Sequence, residues 1–224
     1  MRTTSSLFFA SLFVSSLLVA GAGCQPESAP AQPSSEGTST SSEGVSVLLP
    51  DGAYALNVEK STLAWEAKKT FIVDYKHNGT VPVSEGTLTV ENGAIMGGQF
   101  TIDMTAIKVL DAIGGERLLN HLKSPDFFDV AQYPAAAFAI TKVDKAAGSD
   151  AYDVTGDLTI KGITNAIAFP AAIKADAQRL TAHAEFEIDR TLWDVRFGSG
   201  KFFEDIGDQA IDDKIKIVLD LETL

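Results

Sequence analysis

Residue patterns that would support phosphate binding or nucleophilic catalysis are incomplete in this chain. Residues 197–201 (FGSGK) look like the end of a phosphate-binding loop. The motif G-x-x-x-x-G-K-[ST], however, needs a glycine where Val195 stands and a hydroxyl where Phe202 stands. No G-x-S-x-G run, which would place a nucleophilic serine on a sharp turn, occurs in the sequence. The sequence therefore predicts no nucleophile with a partner base.

Metal ligation and acid–base chemistry are also weakly supported. The three histidines are far apart and lack ligand spacing: His77, His121 and His183. We expect His183 to be solvated and His121 to hydrogen-bond the loop that follows it. An acidic cluster near the C-terminus lacks the order of a calcium loop and predicts a solvated turn: Glu204, Asp205, Asp208, Asp212 and Asp213. An enzyme that isomerises or hydrolyses a lipid would need a titratable group inside the folded domain, and the only candidates are Tyr152 and Glu66. We expect no metal, no cofactor and no enzymatic activity.

Two arginines near the end of the chain are the candidates for contact with an anionic head group. A guanidinium group matches the geometry of a phosphate. Arg190 and Arg196 are, however, close in sequence to Glu187, Asp189 and Asp194. Salt bridges within the protein are therefore the alternative use of both side chains.

The lone thiol of the chain, Cys24, points to covalent lipid attachment. It follows Arg2 and an apolar stretch over residues 7–22 that is shorter than the roughly 20 residues of a spanning helix. Such a start is typical of a secretory signal peptide, here residues 1–23. A cysteine at the cleavage point is similar to the bacterial lipobox, in which it is acylated, for example with palmitate. The alternative is a signal peptide cut nearby that leaves a free thiol.

The segment after Cys24 predicts a tether. Residues 25–44 contain no valine, leucine, isoleucine or aromatic residue, and such a composition cannot offset the entropy of ordering. We therefore divide the chain into a signal peptide (1–23), a lipidated tether (24–52) and a folded domain (53–224). Gln25 after the cysteine favours the outer membrane over the inner one, by analogy with lipoprotein sorting. The net charge of −12 argues against nucleic-acid binding.

Strict alternation of apolar and polar residues runs through the folded domain and predicts β-strands. The clearest stretches are 152–161, 180–189 and 215–221. Asn92-Gly93 predicts a hairpin turn, and Asn78-Gly79 suggests a second one. Only residues 116–123 (ERLLNHLK) have the spacing of a helix.

About eight strands can be counted, which is enough to close a barrel. A two-sheet sandwich is the competing architecture, but the short turns and the absence of a long crossover favour the barrel. The fold class is therefore all-β, an eight-stranded antiparallel barrel with one short helix. The residues expected to line its interior, either as ligand contacts or as plain core, are Trp65, Val90, Met96, Phe100, Ile102, Phe138, Val154, Leu158, Ile160, Phe169, Phe186, Ile188, Ile215 and Ile217.

Three stretches carry a resemblance to a known family. The run HLKSPDFFDVAQYP at 121–134, YDVTGDLTIKGIT at 152–164 and FEIDRTLWDVR at 186–196 resemble the YceI-like family of bacterial periplasmic proteins. The resemblance implies a lipocalin-like barrel that encloses an isoprenoid quinone, a polyprenyl phosphate or a similar long apolar molecule. It also implies export to the periplasm. We therefore expect a membrane-anchored protein that carries or sequesters a lipid; the alternative is a ligand-free structural or partner-binding barrel of the cell envelope.

Overall fold

Backbone hydrogen bonds join the strands into a single antiparallel sheet. The computed structural model describes residues 50–111, 114–148, 151–176 and 179–224. The predicted signal peptide, Cys24 and the tether up to residue 49 lie outside these residues. The strands within the described ranges are β1 (Gly52–Ala55), β2 (Thr62–Lys68), β3 (Lys76–Thr80), β4 (Val83–Glu91), β5 (Ala94–Asp103), β6 (Lys108–Val109), β7 (Ala135–Lys145), β8 (Tyr152–Ile160), β9 (Ile163–Ala175), β10 (Leu180–Asp189) and β11 (Lys214–Glu222).

The sheet curls until its two ends meet. Its strand order is β1-β4-β5-β7-β8-β9-β10-β11-β2-β3-β6, so β3 and β4 lie near opposite ends of the order. In the chain these two strands are separated only by Val81 and Pro82. The Val81 N–H donates to the Leu63 carbonyl of β2 at 2.9 Å, and the Pro82 carbonyl accepts from Asp103 of β5 at 3.0 Å. Because one short link joins strands near both ends of the order, the sheet closes as a barrel and not as a two-layer sandwich.

The described residues contain eleven strands where the sequence predicted eight. β1 and β6 have only four and two residues, too few for alternation to reveal them. Pro82 has no N–H to donate and fixes its own φ angle, and it lies in the two-residue link between β3 and β4. The all-β class and the antiparallel barrel are confirmed, but the count of eight is not.

One of the two predicted Asn-Gly turns is confirmed and the other is wrong. Asn92 and Gly93 have φ angles of 52° and 72° and join β4 to β5. Asn78 and Gly79 instead lie inside β3, where Gly79 pairs with Trp65. A Cβ atom at Gly79 would come within 1.9 Å of the Lys108 carbonyl oxygen and 2.6 Å of the Trp65 indole. This glycine therefore serves a close approach between side chain and backbone, not a turn.

The predicted helix is confirmed as α1 (Gly115–Lys123). Gly114 precedes the helix with a φ angle of 76°. Within the helix, the side chain of Leu122 is buried. Short 3₁₀ turns at Met104–Ala106, Arg190–Trp193 and Gly207–Gln209 join neighbouring strands. Among the described residues, no helix has both the length and the apolar character needed to cross a bilayer.

A seam of backbone and side-chain contacts joins the first and last strands. Leu56 and Thr223 form an antiparallel bridge, and the Leu224 N–H donates to the Ala55 carbonyl at 2.9 Å. The Glu222 carboxylate accepts from Lys60 Nζ at 2.9 Å and from Arg179 Nη1 at 2.8 Å. The hydrogen bond from Lys60, with that from Arg179, lowers the pKa of Glu222 below its ordinary value of 4.5.

We expect Glu222→Gln to reduce the loss of stability in acid. Because the folded-state pKa of Glu222 is lowered, its contribution is fully present above pH 4.5 and is lost as the pH falls through the lowered value. Urea midpoints measured from pH 7 down to pH 3 should therefore fall less steeply in the variant. Glu91→Gln, at a position without an ion pair among the described residues, is the control and should follow the wild type. Equal slopes for all three proteins would contradict the assignment.

Candidate ligand-binding cavity

Alternation along the strands places one set of side chains inside the barrel. In β10, Leu180, Ala182, Ala184, Phe186 and Ile188 face inward, whereas the residues between them face outward. The inward sets of the strands enclose a cavity of about 200 Å³. Its lining follows β10 over its whole length and on to Arg190, a rise of roughly 30 Å at about 3.4 Å per residue. The cavity is therefore long and narrow.

Most of the predicted lining residues do line this cavity. They are Trp65, Phe100, Ile102, Phe138, Val154, Leu158, Ile160, Phe169, Phe186, Ile188, Ile215 and Ile217. Within this group Phe169 stacks on Phe186 with ring centroids 4.1 Å apart, and Phe138 lies 5.8 Å from Phe169. These three rings form an aromatic wall midway along the cavity.

Two predicted lining residues lie elsewhere. Val90 is completely buried in the core and does not reach the cavity. Met96 is 56 % exposed, because the β4–β5 register shifts after the pair Thr89–Gly97 and resumes at Val90–Ile95. This bulge leaves Met96 unpaired and turns it outward, while Ile95 takes the inward place.

Three lining residues that the sequence prediction did not name lie in α1 and just after it. Leu122 of α1, with Phe127 and Phe128 just after it, lines the interior. His121 packs edge-on against Phe127 with centroids 4.8 Å apart, and its Nε2 lies 3.1 Å from Asp126 Oδ2. The expected hydrogen bond from His121 to the following loop is thus confirmed. The signals for these residues were the helical spacing at 116–123, which includes Leu122, and the motif at 121–134, which contains Phe127 and Phe128.

Among the described residues, Arg190 is the only charged residue that lines the cavity. Its guanidinium donors are bound to backbone carbonyls of the protein itself. The side chain is 2 % exposed. Nη1 donates to the carbonyls of Val195 and Phe197 at 2.7 and 2.9 Å. Nε and Nη2 donate to the carbonyls of Asp212 and Ile211 at 3.1 and 3.2 Å. Nη2 also lies 3.6 Å from Asp213 Oδ1. Burial lowers the pKa of Arg190, an effect that the nearby aspartates oppose. This guanidinium fastens the loop after β10 to the barrel.

Arg196 lies outside the cavity. Its Nε is 3.0 Å from Asp194 Oδ1, and its guanidinium carbon is 4.6 Å from the centre of the Phe202 ring. Neither arginine is therefore placed to bind an anionic head group: the donors of Arg190 are bound to carbonyls, and Arg196 lies on the surface. Salt bridges, the alternative use, are formed by both side chains.

Two indole N–H groups at the cavity differ in their partners. Trp193 Nε1 donates to the Leu158 carbonyl at 2.9 Å. Trp65 Nε1 is shielded from water and has no hydrogen-bond partner. An unpaired buried donor is uncommon in folded proteins and calls for an explanation.

The other titratable groups that the sequence singled out do not line the cavity. His77 contacts Asp111, and His183 Nδ1 lies 2.7 Å from Asp220 Oδ1 on the exposed strand face. Glu66 pairs with Lys76 at 2.9 Å. Tyr152, like Glu66, is not a lining residue. In the described part of the chain no three His, Cys, Asp or Glu residues are grouped so that they could hold a metal ion.

The acidic cluster divides into two parts. Glu204, Asp205 and Asp208 are exposed, as expected for a solvated turn. Asp212 and Asp213 instead form ion pairs. Asp212 lies 3.6 Å from Lys68 Nζ, and Asp213 lies 3.1 Å from Lys201 Nζ.

Comparison with known proteins places this barrel among relatives. The YceI-like domain family matches residues 54–223. Protein YceI of Escherichia coli O157:H7 is 37 % identical over 97 residues, 42 % of this chain and 48 % of that protein. A UPF0312 protein of Pseudomonas savastanoi is 45 % identical over 59 residues, 26 % of this chain and 30 % of that protein. The chain thus spans about a third to a half of the length of these curated relatives.

Two solved structures share the fold. BcnA of Burkholderia cenocepacia superposes with a TM-score of 0.60 at 22 % identity, covering 75 % of this chain and 99 % of that one. A polyisoprenoid-binding domain from Saccharophagus degradans superposes with a TM-score of 0.54 at 17 % identity, covering 76 % and 97 %. At these identities the likeness establishes the architecture of the barrel.

Proposed function

Because this chain belongs to the YceI-like family, whose domain spans residues 54–223, we propose that it binds one long apolar lipid inside its barrel. The single observation that carries the proposal is the enclosed cavity with its almost wholly apolar lining. Removing apolar surface from water contributes about 25 cal/mol per Å², so a hydrocarbon chain is the natural occupant of such a space. Tyr152 and Glu66 lie off the cavity, which supports binding and not catalysis.

An isoprenoid is the lipid class that we propose. The length of the cavity along β10 suits a chain and not a compact ligand. The Saccharophagus degradans domain with the same fold is described as polyisoprenoid-binding. The volume of about 200 Å³ exceeds the roughly 150 Å³ of a dry cavity that admits benzene, and it is below the 300 Å³ or more of common ligand pockets. A long chain therefore enters by displacing lining side chains such as Phe138 and Phe186.

The proposed location is the periplasmic side of a bacterial membrane, more specifically the outer membrane. Cys24 is the only cysteine in the chain and follows an apolar stretch with small residues at its end. An acyl anchor there, followed by the residues up to Gly52, would hold a lipocalin-like barrel beside the membrane from which it takes or sequesters lipid. This part of the proposal rests on the sequence.

Native mass spectrometry of the full-length protein, purified without denaturant from its own host, tests the function. We expect a chain that begins at an acylated Cys24 and carries an apolar molecule that organic solvent releases. Repeated recovery of a folded, empty barrel would contradict lipid binding and favour a ligand-free structural or partner-binding module. A chain with an unmodified Cys24 and a bound lipid would contradict the anchor alone.

A further inference from the structure

We propose that the part of the ligand inside the barrel is uncharged and carries a hydrogen-bond acceptor for the indole N–H of Trp65. This inference rests on the proposed function and narrows its ligand class to neutral head groups such as alcohols, ketones or quinones. Two observations support it: the guanidinium donors of Arg190 are already bound to carbonyls, and the indole N–H of Trp65 has no hydrogen-bond partner.

The first observation is that the cavity has no positive charge to offer. Arg190 is the only charged residue of its lining in the described ranges, and its donors are directed to the carbonyls of Val195, Phe197, Ile211 and Asp212. The positive charge of the guanidinium is also balanced by Asp213, whose Oδ1 lies 3.6 Å from Nη2. To bind a phosphate, Arg190 would have to release these carbonyls and leave them buried without a donor.

An anionic head group would therefore lie in the cavity without a counter-charge. Transfer of an unpaired anion from water into an apolar site is strongly unfavourable. Apart from Arg190, the residues that line the cavity are hydrophobic, so they cannot replace the hydration that the anion loses. A charged isoprenoid is accepted only if its head remains outside the barrel.

The second observation is the unpaired donor at Trp65. Its indole lines the cavity and lies across Gly79, whose missing Cβ makes room for the ring. The Nε1 atom has no partner and is shielded from water. An oxygen atom of a ligand that reached this N–H would satisfy it.

Trp193 shows why Trp65 and not any indole is assigned this role. Trp193 also lines the cavity, but its N–H is already bound to the Leu158 carbonyl. Of the two tryptophans in the chain, only Trp65 has a donor to spare.

Three C20 ligands with the same carbon chain and different heads test the proposal. Geranylgeraniol, the corresponding hydrocarbon and geranylgeranyl phosphate would each displace N-phenyl-1-naphthylamine from the full-length protein at pH 7. We expect the phosphate to bind at least tenfold more weakly than the alcohol. In Trp65→Phe the affinity of the alcohol relative to the hydrocarbon should fall by about 2- to 10-fold, the range of one neutral hydrogen bond.

Two further proteins separate loss of the donor from loss of the fold. Benzothienylalanine at position 65 keeps the shape of the ring but replaces its N–H with sulfur, and it should reproduce the effect of Trp65→Phe. His183→Phe also removes a ring N–H, but on the outward face of β10, and it should leave the alcohol-to-hydrocarbon ratio unchanged.

Each outcome decides one point. Phosphate binding as tight as alcohol binding would overturn the neutral ligand class. An unchanged alcohol-to-hydrocarbon ratio at position 65 would overturn the role of Trp65. Binding of none of the three ligands would overturn the proposed function itself.

Discussion

Ala182→Phe is expected to weaken binding of geranylgeraniol at least tenfold while the barrel remains folded. Ala182 is the third residue of β10, points into the cavity and pairs with Ile173 and Leu221 across the sheet. The substitution adds one benzene ring, and benzene occupies a cavity of about 150 Å³. Since the whole cavity measures about 200 Å³, the added ring blocks the path of the hydrocarbon chain.

The measurement is displacement of N-phenyl-1-naphthylamine, with circular dichroism as the check on folding. We expect at least a tenfold weaker affinity for the alcohol. His183→Phe places the same phenyl ring at the next residue of the strand, which faces outward, and this variant should bind as the wild type does. Undiminished binding by a folded Ala182→Phe protein would show that the ligand site is not this cavity.

Arg190→Leu is expected to cause the largest loss of stability of any single substitution discussed. The side chain is 2 % exposed and donates to four backbone carbonyls. Its removal leaves those carbonyls without a donor and takes away the buried positive charge that lies 3.6 Å from Asp213. Breaking a buried pair of this kind costs about 3–5 kcal/mol of the free energy of unfolding. Urea unfolding at pH 7 measures the difference.

Two controls accompany Arg190→Leu. Arg190→Lys retains the charge but not the planar fork of donors. It should therefore show most of the loss in the free energy of unfolding that Arg190→Leu shows. Arg196→Leu removes an exposed arginine with one ion pair and one ring contact, so we expect a loss of about 1 kcal/mol or less. Equal losses at positions 190 and 196 would contradict the role of Arg190 as the fastener of its loop.

Alternation in the sequence predicts the inner face of most strands because side chains in a strand switch sides at each residue. The prediction fails at Met96, where the bulge adds one residue and reverses the order. Gly97 and Gly98 directly follow Met96, and glycine inside a strand often marks a bulge, but which residue is left unpaired depends on how β4 and β5 pair. Alternation also cannot reveal β6, which has only two residues.

Two features of the site depend on contacts between distant residues. Asn78-Gly79 and Asn92-Gly93 are identical dipeptides, but only the second forms a turn, because the Trp65 indole lies across the first. Arg190 has acidic neighbours in the sequence, yet most of its donors bind carbonyls five to twenty-two residues away. Cavity volume likewise depends on packing, so the sequence predicts an apolar interior but not the space within it.

The pairing of β2 with β11 has a consequence for how the protein matures. It joins residues 62–66 to residues 216–220, so the wall is incomplete until both ends of the domain have been synthesised and have met. Folds dominated by such non-local pairs fold slowly, on the scale of milliseconds to seconds. A lipid present during that interval is enclosed as the wall closes. A lipid that arrives later has to wait for a local opening, so exchange of the occupant should be slower than its first capture.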